Sequence, residues 1–144
     1  MTAFDRLSDG YQPDFDIDME WGKQGELFVT DLQAAIKSSS IEVKNDAKFS
    51  RTGNVFVEYR CQRRDGWNPS GIATTRADFW AFVLHNNVSA VFIRTDKLKE
   101  AVRHLYKDVE NRRPGGQLGS HPTLGVLVSV AWLMQTGTRI GGDL

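Results

Sequence analysis

Residues 41–60 read IEVKNDAKFSRTGNVFVEYR. Two short alternating runs flank a polar linker ending in Thr52-Gly53-Asn54, a turn signal. In the first run Glu42, Lys44 and Asp46 fall on every second position, so a strand points all three to one face. In the second, Val55, Val57 and Tyr59 take one face while Phe56, Glu58 and Arg60 take the other. The simplest structure is an antiparallel hairpin of residues 41–46 with residues 54–60. An even register gathers Lys44, Asp46 and Glu58 on one surface. Carboxylates converging beside an ammonium are costly to assemble. A divalent cation held by oxygen ligands, with a lysine near the developing charge, gives that assembly a purpose.

The rest of the chain bounds this reading. Its 144 residues suit one domain with a real core, and 40% hydrophobic with 25% charged residues is ordinary globular composition. The longest apolar run, residues 124–134, is broken by Gly125 and Ser129 and is too short to span a bilayer. The first ten residues are polar and without an apolar core, so no secretory signal is expected in them. Cys61 is the only cysteine, which excludes an internal disulfide and a cysteine-rich zinc site and fits an intracellular, cytoplasmic protein. His85, His104 and His121 lack metal-ligand spacing, and no phosphate-binding glycine loop is present, so no organic cofactor is expected. The formal net charge is zero, but residues 1–31 hold eight acids against Arg6 and Lys23, a net of −6, leaving +6 on the remainder. A local basic field near residues 44–64 is therefore compatible with overall neutrality.

Residues 1–22 read as an acidic flexible arm and residues 23–144 as a single domain. A helix is predicted over 24–37, with Phe28, Leu32, Ala35 and Ile36 on one face, and Ser38-Ser39-Ser40 ends it. Residues 61–71 read as a loop, and Thr74 or Thr75 as the cap of a short helix through Asp78 to Trp80. Strands fit 81–84 and 90–95, with a turn at His85-Asn86-Asn87. Asp96 is the expected N-cap of a helix to about Asp108, striped by Leu98, Ala101, Val102, Leu105 and Val109. Residues 111–122 read as a loop and 126–130 as a last strand. The fold class is α/β: a small mixed sheet flanked by helices, in the order α-β-β-α-β-β-α-β.

That order, with a glutamate at the start of the first helix (Glu26), an aspartate ending the first strand (Asp46) and an acid twelve positions later in Glu58-Tyr59-Arg60, resembles the PD-(D/E)XK nuclease superfamily. This restriction-endonuclease-like fold includes archaeal-type Holliday-junction resolvases. The likeness covers residues 25–95. The segments TGNVFVEYR and PSGIATTRADFWAFVL also resemble small phage-encoded members. The chain departs from the pattern at Arg60, where the family has lysine; arginine does not deprotonate. Lys44, two residues before Asp46, is the replacement amine on this reading. A second alignment takes Glu42-Val43-Lys44 itself as the acid-x-lysine.

The resemblance implies a Mg²⁺-dependent DNA endonuclease, with Mn²⁺ as substitute, that hydrolyses phosphodiester bonds in branched or repair intermediates. Asp46 and Glu58 are the implied metal ligands, Lys44 the charge near the attacking water, and Glu26 an aid in holding a water or second ion. Arg51, Arg60, Arg63, Arg64 and Arg76 are candidates for phosphate contacts, and Trp67 for stacking on a base. Cutting two strands takes two sites, so a homodimer is expected. The alternative is a non-catalytic DNA-binding or assembly protein of the same fold.

Overall fold

The computed structural model describes residues 15–84, 87–116 and 120–136. The chain divides into two compact units after Ser38. Among its described residues the first contains the helix α1 (Phe15–Lys37), 23 residues long. It begins within the stretch expected as an arm, and the boundary expected at residue 22 falls inside it. In the second unit the order is β1 (Ile41–Asn45), α2 (Phe49–Thr52), β2 (Asn54–Arg63), β3 (Gly66–Pro69), a 3₁₀ turn (Gly71–Ala73), β4 (Phe79–Leu84), β5 (Ser89–Arg94), α3 (Thr95–Tyr106), a second 3₁₀ turn (Val109–Asn111), β6 (Arg112–Gly115), β7 (Thr123–Ser129) and α4 (Val130–Thr136). The class is mixed α/β, with two sheets and four α-helices among the described residues. No described helix is long and apolar enough to cross a membrane.

The predicted hairpin does not form. β1 pairs in parallel with β4, which pairs antiparallel with β5, giving the sheet order β1-β4-β5. β2 belongs to another sheet, β3-β2-β7-β6, antiparallel throughout. The linker between β1 and β2 holds the short helix α2, closed at left-handed Gly53, instead of a hairpin turn. Alternation told the faces of Val55, Phe56, Val57 and Glu58, but not those of Asp46 and Arg60, nor which strand lies alongside.

The cores of the two sheets meet at α3, which contacts β4, β5 and β7. Its buried Leu98, Ala101 and Val102 join Trp80 and Phe82 of β4, Val55 and Val57 of β2, and Val126 and Val128 of β7. Fully burying a valine, leucine or phenylalanine side chain is worth about 1.5–3 kcal/mol. The α3 stripe follows the sequence pattern as far as Leu105, but Val109 lies beyond the helix and is exposed; the N-cap is Arg94, and Asp96 lies in the first turn accepting from the Lys97 amide at 2.9 Å.

Other boundaries moved for local reasons. The expected loop 61–71 is instead the end of β2, a turn at Arg64-Asp65, and β3. No helix starts at Thr74 or Thr75; the chain makes the 3₁₀ turn 71–73 and enters β4 at Phe79. His85 and Asn86 of the expected turn lie outside the described residues. β6 replaces part of the expected loop 111–122. Pro114 disguised it, yet proline is tolerated there because β6 is an edge strand.

Sheet β3-β2-β7-β6 has two unlike faces. Register pairs Val55 with Val128 and Val57 with Val126, facing α3. The opposite, outer face carries Phe56 beside Leu127, and Glu58 beside Gly125. Gly125 breaks the apolar run because Phe56 lies across it. A Cβ there would collide with the Phe56 ring and stand 2.7 Å from the Val57 carbonyl oxygen. Gly125→Ala is expected to lower stability by about 1–3 kcal/mol, as overpacking of a core does. Urea denaturation measures it; an unchanged midpoint contradicts this packing.

Candidate functional site

β1 ends at Asn45, and the next side chain, Asp46, fixes the path of the chain into β2. Its Oδ1 accepts from the Lys48 amide at 2.8 Å, and its Oδ2 from the Phe56 amide at 3.3 Å. One carboxylate thus ends β1, starts the turn into α2, and reaches the edge of β2 that β3 leaves uncovered, since β3 pairs only with residues 60–63. Asp46 lies on the wall of a groove of about 410 Å³ that also includes Lys48, Thr52, Phe56, Arg113 and Leu127. Register places Arg113 opposite Gly125 from β6, as Glu58 is from β2. Glu58, Gly125 and Arg113 therefore form a row across the outer face. Phe56 stands one row away, between Asp46 and Glu58.

Glu58 is half-buried, and its Oε1 accepts from the Ser70 hydroxyl at 2.6 Å. The tight turn after β3 makes this contact possible. Gly71 adopts φ +52, and a side chain there would collide with the Glu58 carbonyl. The segment PSGI is thus the clasp that holds Glu58 in place.

Two expected partners of these acids are elsewhere. Lys44 lies in the other sheet, its ammonium 2.6 Å from Glu42 Oε1 and 5.2 Å from the centre of the Trp80 ring. The literal Glu42-Val43-Lys44 is therefore an ion pair with itself across one face of β1. Arg60 is turned by a β-bulge. The register shifts between Glu58 and Arg60, leaving Tyr59 as the extra residue and Arg60 opposite Leu124, on the α3 side. Spacing of two would put Arg60 beside Glu58; the bulge puts it on the other face. Glu26 is an exposed residue of α1 whose carbonyl accepts from the Thr30 hydroxyl at 2.9 Å. Arg51, Arg63, Arg64 and Arg76 are all exposed, with Arg63 and Arg64 at the β2–β3 turn, and Trp67 is 42% exposed on β3.

The structure adds two residues that spacing did not flag. Lys48, two residues after Asp46, is exposed on the groove wall, and Arg113 faces it from β6. Lys48 was legible as a cation near Asp46. Arg113 depended on a strand that read as a loop.

A divalent ion such as Mg²⁺ keeps several waters and takes only one or two carboxylates. Asp46, which lines the groove, fits as one such ligand, because one hydrogen bond per oxygen leaves lone pairs free; Glu58 lies on the same sheet face but does not line the groove. A richer centre does not fit: no three His, Cys, Asp or Glu side chains gather for a metal among the described residues.

A second groove, of about 580 Å³, opens at the α3 edge of the inner face and is lined by Tyr59 and Tyr106 with Lys99, Arg103 and Lys107. The Tyr59 phenol is held above its usual value of 10.0, by burial first and Tyr106 second, against the opposing pull of Arg112 and Arg60. No protein-family model, curated protein or solved structure matches this chain.

The raised phenol has a pH signature. The folded state keeps its proton where the unfolded chain loses it, so the stabilisation is complete below about pH 10 and is lost as pH rises through the folded value. Denaturation across that range should show a smaller alkaline loss for Tyr59→Phe than for the parent. An identical loss contradicts the burial of this phenol.

Proposed function

We propose that this protein is a Mg²⁺-dependent DNA endonuclease whose reaction takes place at the Asp46 groove on the outer sheet face. One observation carries the reading: Asp46, Lys48 and Arg113 line a single groove, and Glu58 lies on the same sheet face. The resemblance to the PD-(D/E)XK superfamily supports it through the same two acids, and the restriction-endonuclease-like core is part of this proposal.

The roles follow from chemistry. Arg113 suits a bidentate clamp on a phosphodiester, and Lys48 a compact charge beside the reacting phosphate. Asp46 and Glu58 would hold the ion, which supplies an acidified water and neutralises phosphate charge. The amides that bind Asp46 and the Ser70 hydroxyl that binds Glu58 hold the two carboxylates in place before DNA arrives. The exposed arginines of the β2–β3 turn supply contacts that position the duplex without reading its sequence. Residues 39–144 carry fifteen Lys and Arg against ten Asp and Glu, a net of +5, so the body of the chain is basic although the whole is neutral. Lys48 takes over the role that spacing assigned to Lys44. Cleavage of both strands by a homodimer remains part of the proposal.

A second reading, a DNA-binding protein without catalysis, is favoured by one observation. Both carboxylate oxygens of Asp46 and Oε1 of Glu58 already serve intrachain hydrogen bonds, so these acids also have a purely structural use.

Labelled DNA incubated with Mg²⁺, Mn²⁺ or EDTA separates the two. Cleavage that needs the metal supports the first reading; salt-sensitive binding without cleavage supports the second. Glu58→Gln is the cleaner acid variant, since its amide oxygen can still accept from Ser70. Asp46→Asn turns an amide group toward a backbone N–H and costs stability as well, about 1–3 kcal/mol. Glu58→Gln is expected to abolish cleavage with an unchanged denaturation midpoint.

Lys48→Ala is expected to slow single-turnover cleavage about a hundredfold or more. Lys44→Ala should leave the rate near that of the parent. The reverse order of effects would return the amine to Lys44 and refute this groove.

A further inference from the structure

The second groove lies on the side of the sheet away from Asp46, and the nuclease proposal does not use it. Its composition is unlike an ordinary helix surface. Lys99, Arg103 and Lys107 recur every four residues along one flank of α3 and its C-terminus, so their charges line up. Ile72 and Val102, both buried, contribute an apolar floor. Tyr59 and Tyr106 stand at one end, their ring centres 5.3 Å apart and their planes at 89°. The Arg112 guanidinium lies 4.2 Å from the centre of the Tyr106 ring, and its Nε donates to the Tyr106 carbonyl at 2.8 Å. Tyr106 is therefore held between two neighbours while still 42% exposed.

We propose that this groove binds an unpaired nucleotide of a nucleic-acid strand, its base against Tyr106 and its phosphates along Lys99, Arg103 and Lys107. This rests on the reading that the protein acts on DNA, and it specifies the form of DNA. The groove, about 580 Å³, falls within the range of about 300–1,000 Å³ seen for small-molecule sites. Aromatic rings beside a row of cations are the elements that single strands use, since every base has a face to stack and every nucleotide brings a phosphate. A continuous duplex meets such a concavity only with its backbone, because its bases are already stacked inside and must be flipped out to enter. A ring held in place by Arg112 and Tyr59 loses little freedom when a base settles on it. Tyr59, neutral through the ordinary pH range, adds no repulsion to the phosphates. The substrate class implied is DNA with an unpaired stretch, such as a flap, an overhang or the open centre of a branch.

Fluorescence anisotropy tests this with the full chain in EDTA, which prevents metal-dependent cleavage. The probes are a labelled mixed-sequence single strand and the blunt duplex made from it. The parent is expected to bind the single strand more tightly. Tyr106→Ala should weaken single-strand binding about tenfold and leave duplex binding unchanged, while Tyr106→Phe, which keeps the ring, should behave as the parent. Tyr106 is substantially exposed, so the alanine variant is expected to fold; its circular dichroism and denaturation midpoint check that directly. Equal loss on both probes, or no loss on the single strand while duplex binding persists, overturns the groove assignment alone. A parent that binds neither probe overturns the nucleic-acid reading, and this site with it.

Discussion

One carboxylate organises this molecule. Asp46 accepts two backbone N–H groups, one from the turn immediately after it and one from a strand of a different sheet. This side chain thus links the end of β1 to the start of β2, with a short bond of 2.8 Å to the turn and a longer one of 3.3 Å to β2. With the chain on this path, residues 41–60 do not close as a hairpin. β1 is left to pair with β4, and the uncovered edge of β2 receives the turn. The same joint presents an anionic side chain on the outer face of the second sheet, beside Phe56 and across from Arg113. Fold and candidate chemistry therefore depend on the same atoms.

The second sheet divides its tasks by alternation. On the inner face, valines of β2 and β7 interlock with α3 and hold the unit together. On the outer face the same strands present Glu58, Gly125 and Phe56, where small residues make room for a ring and leave charges at the rim. The bulge at Tyr59 is the switch between them. It turns the exposed Arg60 to the α3 side and lets Tyr59 meet Tyr106, so the two grooves are supplied from adjacent positions of one strand.

Much of this was readable in the chain. The α3 stripe emerged from its period, and the opposite faces of Val55 and Val57 against Phe56 and Glu58 from alternation. What failed was everything that required knowing a neighbour. The parallel pairing of β1 with β4 joins residues almost forty positions apart and leaves no mark on the residues themselves. A bulge inverts every side-chain assignment after it, which misplaced Arg60. Lys44 alternates with Asp46 on paper, but Asp46 has already left the strand. Arg-Arg-Pro-Gly hides β6, and with it Arg113, because an edge strand tolerates the residues that elsewhere signal a loop. The glutamate-to-serine clasp was visible only as the segment PSGI, with no indication of what it grips.

The most direct measurement of the central claim is the location of a bound divalent ion. Mn²⁺ added to ¹⁵N-labelled protein broadens the amide signals nearest to it. With the ion at Asp46 and Glu58, the signals of Lys48, Phe56 and Ser70, whose amide or hydroxyl groups bind the two carboxylates, are expected to broaden first and to recover when Mg²⁺ is added in excess. Broadening confined to the acidic helix α1, with those three signals unaffected, would contradict it.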